Sequence, residues 1–155
     1  MEKTNAMRIL ESKKIKYAGK EYDAAVTDGE QVALLLGELP EQVFKTLVTV
    51  SDKGEHFVFV VPVCAQLDLK KAAKAAGIKS VSMIRQKELE PLTGYIHGGC
   101  SPVGMKKRFC TFIHQSAAAF DGIFVSAGRV GKQMYVNPAD LISVTGASFA
   151  DLTAE

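Results

Sequence analysis

The residues best able to do chemistry fall in two short stretches. The first is Val43-Phe44-Lys45-Thr46-Leu47-Val48-Thr49-Val50. Its Phe, Val, Leu and Thr favour a pleated, half-buried surface. Strand alternation puts Val43, Lys45, Leu47 and Thr49 on one face, with Phe44, Thr46, Val48 and Val50 on the other. Lysine is the odd letter in this run. Its ammonium either lies at an edge and snorkels to water, or it points into a pocket to meet an anion. The second stretch is Gly94-Tyr95-Ile96-His97-Gly98-Gly99-Cys100-Ser101-Pro102-Val103-Gly104. Adjacent glycines let a backbone approach a ligand closely and adopt positive φ. Pro102 biases Ser101 toward an extended conformation. The loop either presents backbone N–H and C=O groups to a substrate or makes a tight turn between strands. His97 and Cys100 flank the glycines, so Cys100 is either a thiol nucleophile or a small buried filler. Neither GxGxxG nor GxxxxGK[ST] is present. His56, His97 and His114 lack zinc spacing, and no metal or other cofactor is expected.

The elements that must hold these stretches follow from periodicity and caps. Thr4 caps a helix through Ala6, Met7, Ile9 and Leu10. Residues 16–23 read as a strand. Thr27 with Glu30 resembles a capping box opening a helix that ends at Gly37. The Lys45 strand turns at Asp52-Lys53-Gly54 into His56–Val61, a hairpin. Asp68 caps a helix over Leu69–Ala76, stopped by Gly77. A strand over 79–83, a short helix from Arg85 ending near Pro91, and a short strand at 95–97 precede the glycines. Strands over 109–114, 123–126 and 133–136 lead to a helix capped by Asn137 with Pro138 at its first position.

This predicts a mixed α/β fold: one domain over residues 1–155, with a mostly antiparallel, barrel-like sheet surrounded by helices. A chain of 155 residues, 47% hydrophobic and 23% charged, buries a sizeable core. A net charge of +2 is too small to announce a nucleic-acid binder by bulk electrostatics, so any such contact must be local. Three cysteines without a CxxC pair read as reduced thiols of a cytoplasmic protein. The N-terminus lacks a signal-peptide core, and no transmembrane run is present.

VFKTLV, then Gln66-Leu67-Asp68-Leu69-Lys70-Lys71, then GYIHGGCSPVGMKKR, then Ile123-Phe124-Val125-Ser126-Ala127-Gly128 occur in this order. Together they resemble the YbaK/EbsC family of aminoacyl-tRNA deacylases, nearest the bacterial Cys-tRNA(Pro) deacylases and related to the prolyl-tRNA synthetase editing domain. The resemblance covers nearly the whole chain. It implies the YbaK fold and trans-editing of mischarged tRNA, chiefly removal of cysteine from Cys-tRNA(Pro). Cys-tRNA(Cys) and an alanyl substrate remain alternatives. It makes Lys45 the signature residue of the pocket for the aminoacylated tRNA 3′ end. It sets Gly98 and Gly99 beside Lys45 as catalytic, at the amino-acid end. It implies substrate contacts from Tyr22, Thr46, Ser101, Pro102, Ser126 and Gly128. Prolyl-tRNA synthetase is the implied partner. The family proposal is that the substrate's own thiol attacks its carbonyl.

Departures bear on specificity. Lys20 and Tyr22 stand where many relatives carry tyrosine and histidine. Thr27-Asp28-Gly29 lacks an aromatic before the glycine. Gln133 stands where close relatives carry aspartate. Lys106, Lys107 and Arg108 beside the pocket, and Lys70, Lys71 and Lys74 on a helix, could meet tRNA phosphates. A rival reading is a module that grips tRNA ends or a synthetase without turnover.

Overall fold

The fold is that of a computed structural model, which describes residues 2–26 and 28–154. The strands divide between two sheets instead of closing into one barrel. The smaller has the order β1-β7-β6, from β1 (Tyr17–Glu21), β6 (Ile123–Ser126) and β7 (Lys132–Val136), all antiparallel. The larger has the order β4-β2-β3-β5-β8, from β2 (Phe44–Ser51), β3 (His56–Pro62), β4 (Val81–Met83), β5 (Cys110–His114) and β8 (Ser148–Ala150). Here β2 pairs antiparallel with β3 and β4, while β5 runs parallel to both β3 and β8. A bridge between Val43 and Phe124 joins the sheets.

The central strand shows how sequence sets this layering. In β3, Val58 and Val60 face the core between the sheets, alongside Phe44, Val48, Ile113, Val125 and Met134. Phe57, Phe59 and Val61 face the opposite way, onto Ala72 and Ala73 of α3 (Leu69–Ala76). A strand covered on both sides must be apolar at every position. The small alanines let α3 lie close to the phenylalanines. Phe59 is fully buried, so truncating it to alanine should cost about 3–5 kcal/mol.

Most predicted helix ends are found. Thr4 accepts from the Met7 N–H at 3.2 Å to cap α1 (Asn5–Ser12). Asp68 accepts from Lys70 and Lys71 N–H to cap α3, and Asn137 caps α5 (Pro138–Thr145) likewise. The helix after residue 27 is α2 (Gly29–Leu36), with Asp28 at its N-cap position making no side-chain cap bond. Thr27, the proposed capping-box residue, lies outside the described residues. Two expectations differ. Helix α4 (Gln86–Thr93) runs through Pro91 to Thr93, whose hydroxyl donates to Leu89 O at 2.8 Å. Residues 95–97 form no strand, because the chain is already turning toward the glycines.

Candidate active-site cavity

Strand β2 has a free edge where Lys45 lies. β4 pairs only with Thr49–Ser51. Val48 O turns to this outer side and accepts from Ile84 N–H at 3.3 Å. Backbone groups alternate along a strand, so Thr46, two residues earlier, presents its N–H and C=O to the same uncovered side. A cavity of about 500 Å³ opens here, within the size range of small-molecule sites.

The two sheets supply its opposite walls. From β2 come Lys45 and Thr46. Across from them stand Ser126 and Gln133, direct partners in the β6–β7 register, so their side chains share one face. Tyr22 enters just beyond β1, its N–H held by Gly131 O at 2.9 Å. The glycine loop contributes His97, Gly98 and Cys100. The start of α2 contributes Asp28 and Gly29. Gly29 is required by packing: a Cβ there would sit 2.6 Å from Val63 Cγ1.

The ammonium of Lys45 has no carboxylate within 4.0 Å and no hydrogen-bond partner among the described residues. It is half-buried and near the exposed Cys64 thiol, whose pKa is raised by burial first and Glu41 second, with Lys45 a lesser opposing effect. An uncompensated cation on a cavity wall favours an anion-meeting role over a snorkelling one. Beyond it, Tyr22 OH, Thr46 Oγ1 and Gln133 Oε1 are buried without partners among the described residues. Ser126 Oγ accepts from Gly128 N–H at 3.2 Å. No group of His, Cys, Asp or Glu suited to a metal is found among the described residues.

The predicted residues therefore separate. Lys45, Tyr22, Thr46, Gly98 and Ser126 come together on the cavity. Gly99, Ser101, Pro102 and Gly128 shape its wall from behind. Gly99 N–H is spent on Ile96 O at 3.0 Å, and a Cβ would meet Val130 N at 2.9 Å. Its smallness serves the junction between the glycine loop and the β6–β7 turn. Gly98 turns the loop at φ +86°. Ser101 is fully buried, its Oγ accepting from Val103 N–H at 3.1 Å. A Cβ on Gly128 would strike the Tyr95 ring at 2.9 Å.

Lys106, Lys107 and Arg108 are exposed outside the cavity, and Lys107 and Arg108 line a separate groove of about 200 Å³ with Pro102. Lys71 is committed to the C-terminal segment, 3.2 Å from Asp151 Oδ2 and 2.8 Å from Thr153 O. Burial pushes the Cys100 thiol up to about 12, against a small opposing effect from a Thr93 hydrogen bond. It is a neutral filler of the wall and not a poised nucleophile. The sequence reading missed Asp28, Gly29 and His97 as cavity residues, and treated Gln133 only as a departure. The Asp28-Gly29 pair at a helix start was the available signal.

Comparison with known proteins gives the family. The chain is 46% identical over 158 residues to the "Putative Cys-tRNA(Pro)/Cys-tRNA(Cys) deacylase EbsC" of Enterococcus faecalis, covering 99% of this chain and 95% of that protein. A solved structure described as "a putative trans-editing enzyme for prolyl tRNA synthetase" superposes with a TM-score of 0.84 at 25% identity, covering 99% of this chain and 100% of that one. A crystal structure of a hypothetical protein shares the fold with a TM-score of 0.87 at 22% identity, over 95% of this chain and 97% of that one. The family model described as "Aminoacyl-tRNA editing domain" matches residues 23–144. With Lys45, Gly98 and Ser126 inside the matched span and on one cavity, the chain belongs to the aminoacyl-tRNA editing domain family.

Proposed function

We propose that the chain is a trans-acting aminoacyl-tRNA deacylase that removes cysteine from mischarged Cys-tRNA(Pro), with Cys-tRNA(Cys) as a further substrate. The observation that carries this reading is Lys45: a cation without a counterion among the described residues, on an open strand edge, in a cavity that Asp28 also lines. An aminoacyl ester at a tRNA 3′ end brings phosphates and, during cleavage, a developing oxyanion. An ammonium suits either.

The chemistry asks little of the protein. In a cysteinyl ester the substrate sulfur can attack its own carbonyl. A C–S bond forms, the C–O bond to the terminal ribose breaks, and the ribose oxygen leaves with the proton the thiol gave up. The products are free tRNA and a cyclic thiolactone. Intramolecular attack in a well-oriented complex reaches effective molarities on the order of 10⁵ M or more. Lys45 is assigned to charge stabilisation, with Gly98 at the turn that places the loop backbone against the aminoacyl group. Gly99 supports Gly98 from behind. Ser126, Thr46 and Tyr22 bound the ligand. Ser101, Pro102 and Gly128 keep the wall in shape. No cofactor enters this scheme.

The tRNA body would pass the exposed Lys106 and Lys107. With a net charge of only +2, tight and selective tRNA capture would fall to a partner, prolyl-tRNA synthetase, in the cytoplasm. Among the described residues no helix is long and apolar enough to cross a membrane.

Release of amino acid from Cys-tRNA(Pro), Cys-tRNA(Cys) and Ala-tRNA(Pro) tests the proposal. Fast cysteinyl release is expected, with an ester lacking the sulfhydryl spared. Release of alanine alone would move the assignment to an alanyl deacylase. Salt-sensitive tRNA binding without any release would overturn catalysis in favour of a binding module.

A further inference from the structure

Buried polar atoms are nearly always hydrogen-bonded, and leaving one unpartnered is costly. Four side-chain atoms break this rule among the described residues, and three of them belong to one cavity: Tyr22 OH, Thr46 Oγ1 and Gln133 Oε1. Gln133 is only 6% exposed. Its position is fixed from both sides of β7, by Lys20 of β1 and Ser126 of β6 in register. The fold therefore aligns these polar groups and leaves them unserved.

Their chemistry narrows the occupant. An amide oxygen only accepts, while the two hydroxyls can donate or accept. None of the three is charged. Burying an ammonium against neutral atoms is unfavourable without a carboxylate. Charged parts of a ligand therefore belong beside half-buried Lys45 and the exposed Asp28, whose carboxylate makes no cap bond. The buried trio suits a small neutral group that can both donate and accept.

We propose that Gln133, with Tyr22 and Thr46, reads the side chain of the aminoacyl group and selects chains ending in a hydroxyl or thiol, seryl or cysteinyl, against alanyl. This rests on the deacylase reading and adds its selectivity. A site that hydrogen-bonds a ligand hydroxyl rejects the analogue lacking it far more strongly than an apolar pocket rejects a missing methylene. A hydroxyl is also the better partner for this trio than a thiol, a weak donor. Seryl groups are thus held at least as well as cysteinyl ones, although only the cysteinyl group carries a sulfur able to attack its own carbonyl.

The test is calorimetric titration with non-hydrolysable 3′-aminoacylamido-adenosines carrying seryl, cysteinyl or alanyl groups. The wild type should bind the first two at least about tenfold tighter than the third. Gln133→Leu should narrow the gap to within about threefold by weakening the seryl and cysteinyl analogues alone. It removes an unpartnered acceptor, so its melting temperature should hold or rise. Thr46→Val, of nearly equal volume, should narrow the gap as well. Equal binding of all three analogues by the wild type, no binding of any, or an unchanged preference in both variants would overturn the proposal. Turnover of Cys-tRNA(Pro) with no preference among the analogues would sink this selectivity and leave the deacylase standing. A clear preference without turnover of any ester would do the reverse.

Discussion

Two hollows flank the glycine loop, and they differ in what they leave unsatisfied. Among the described residues the larger holds Lys45 without a counterion and three buried polar atoms without partners, on an open strand edge. The smaller holds more positive charge, from Lys107 and Arg108, but both are exposed to water and its hydroxyls, Thr111 and Thr145, are already bonded to backbone oxygens. The Arg108 guanidinium lies over the end of α5, where a Cβ on Gly146 would come within 2.7 Å of it. A cation at a helix C-terminus is stabilised by the helix dipole. Thr111, also in this groove, donates from Oγ1 to Phe109 O at 2.9 Å. Charge density alone marks a surface that tRNA could slide along. A cluster of unmet polar demand marks a site that needs a ligand.

The sharpest way to break this comparison is to remove one lysine from each hollow. Lys45→Ala should lower single-turnover cysteinyl release about 100-fold or more, the scale of losing one group aimed at developing charge. Lys107→Ala, measured at saturating enzyme, should change it by less than about threefold, since an exposed phosphate contact adds to binding and not to the chemical step. Equal losses would erase the distinction between the hollows.

The wall between them gives the next effect. Gly99→Ala forces a Cβ to within 2.9 Å of the Val130 backbone nitrogen, which has no flexible end to swing aside. Overpacking of this kind costs about 1–3 kcal/mol, read as a lower denaturant midpoint with unchanged slope. Cysteinyl release should fall with it, since Gly98 is carried by the same turn. A Gly99→Ala variant of unaltered stability would mean the two loops are free to separate.

A smaller effect sharpens the role of the basic groove. Lys106→Gln with Lys107→Gln should raise KM for Cys-tRNA(Pro) several-fold at moderate salt and leave kcat unchanged. The slope of log affinity against log salt should fall by about one per lysine. A slope that does not move would take the tRNA body off this face.

The same contrast explains what could be read without coordinates. Caps and turns are local, so Thr4, Asp68 and Asn137 and the β2–β3 hairpin were legible from side-chain type and spacing. Lys45 stood out because it contradicts its surroundings, and the structure places it on the cavity. Gly99 was misread as a cavity residue, because the feature that needs its smallness is a turn some 30 residues later in the chain. Gln133 had no local signal of function. An amide in a strand reads as ordinary until the register sets it opposite Ser126, on the cavity that Tyr22 and Thr46 also line. The end of α4 was misplaced for a related reason. Proline disfavours a helix interior through its missing N–H, yet Pro91 lies inside this short helix, with the Thr93 hydroxyl bonded back to Leu89 O.

Cys100 supplies the smallest expected effect and the clearest separation of wall from machinery. The thiol lines the larger cavity, but burial holds its pKa up to about 12. At neutral pH the thiolate fraction is then on the order of 10⁻⁵, too little for a nucleophile. Cys100→Ala should therefore release cysteine within about twofold of wild type between roughly pH 6.5 and 8.5, with no change in the shape of the profile. The effect on stability has a definite sign. A thiol whose folded value is raised above its ordinary 9.0 contributes stability that is present below that value and lost as pH rises toward 12. Wild-type melting temperature should thus fall more steeply above pH 9.0 than that of Cys100→Ala, whose remaining alkaline loss includes Tyr95 and Tyr17, both raised to about 12 chiefly by burial, and Cys64, raised by burial as well. A variant that melts like wild type at high pH but has lost cysteinyl release would return Cys100 to the chemistry, and with it the glycine loop as the source of the attacking group.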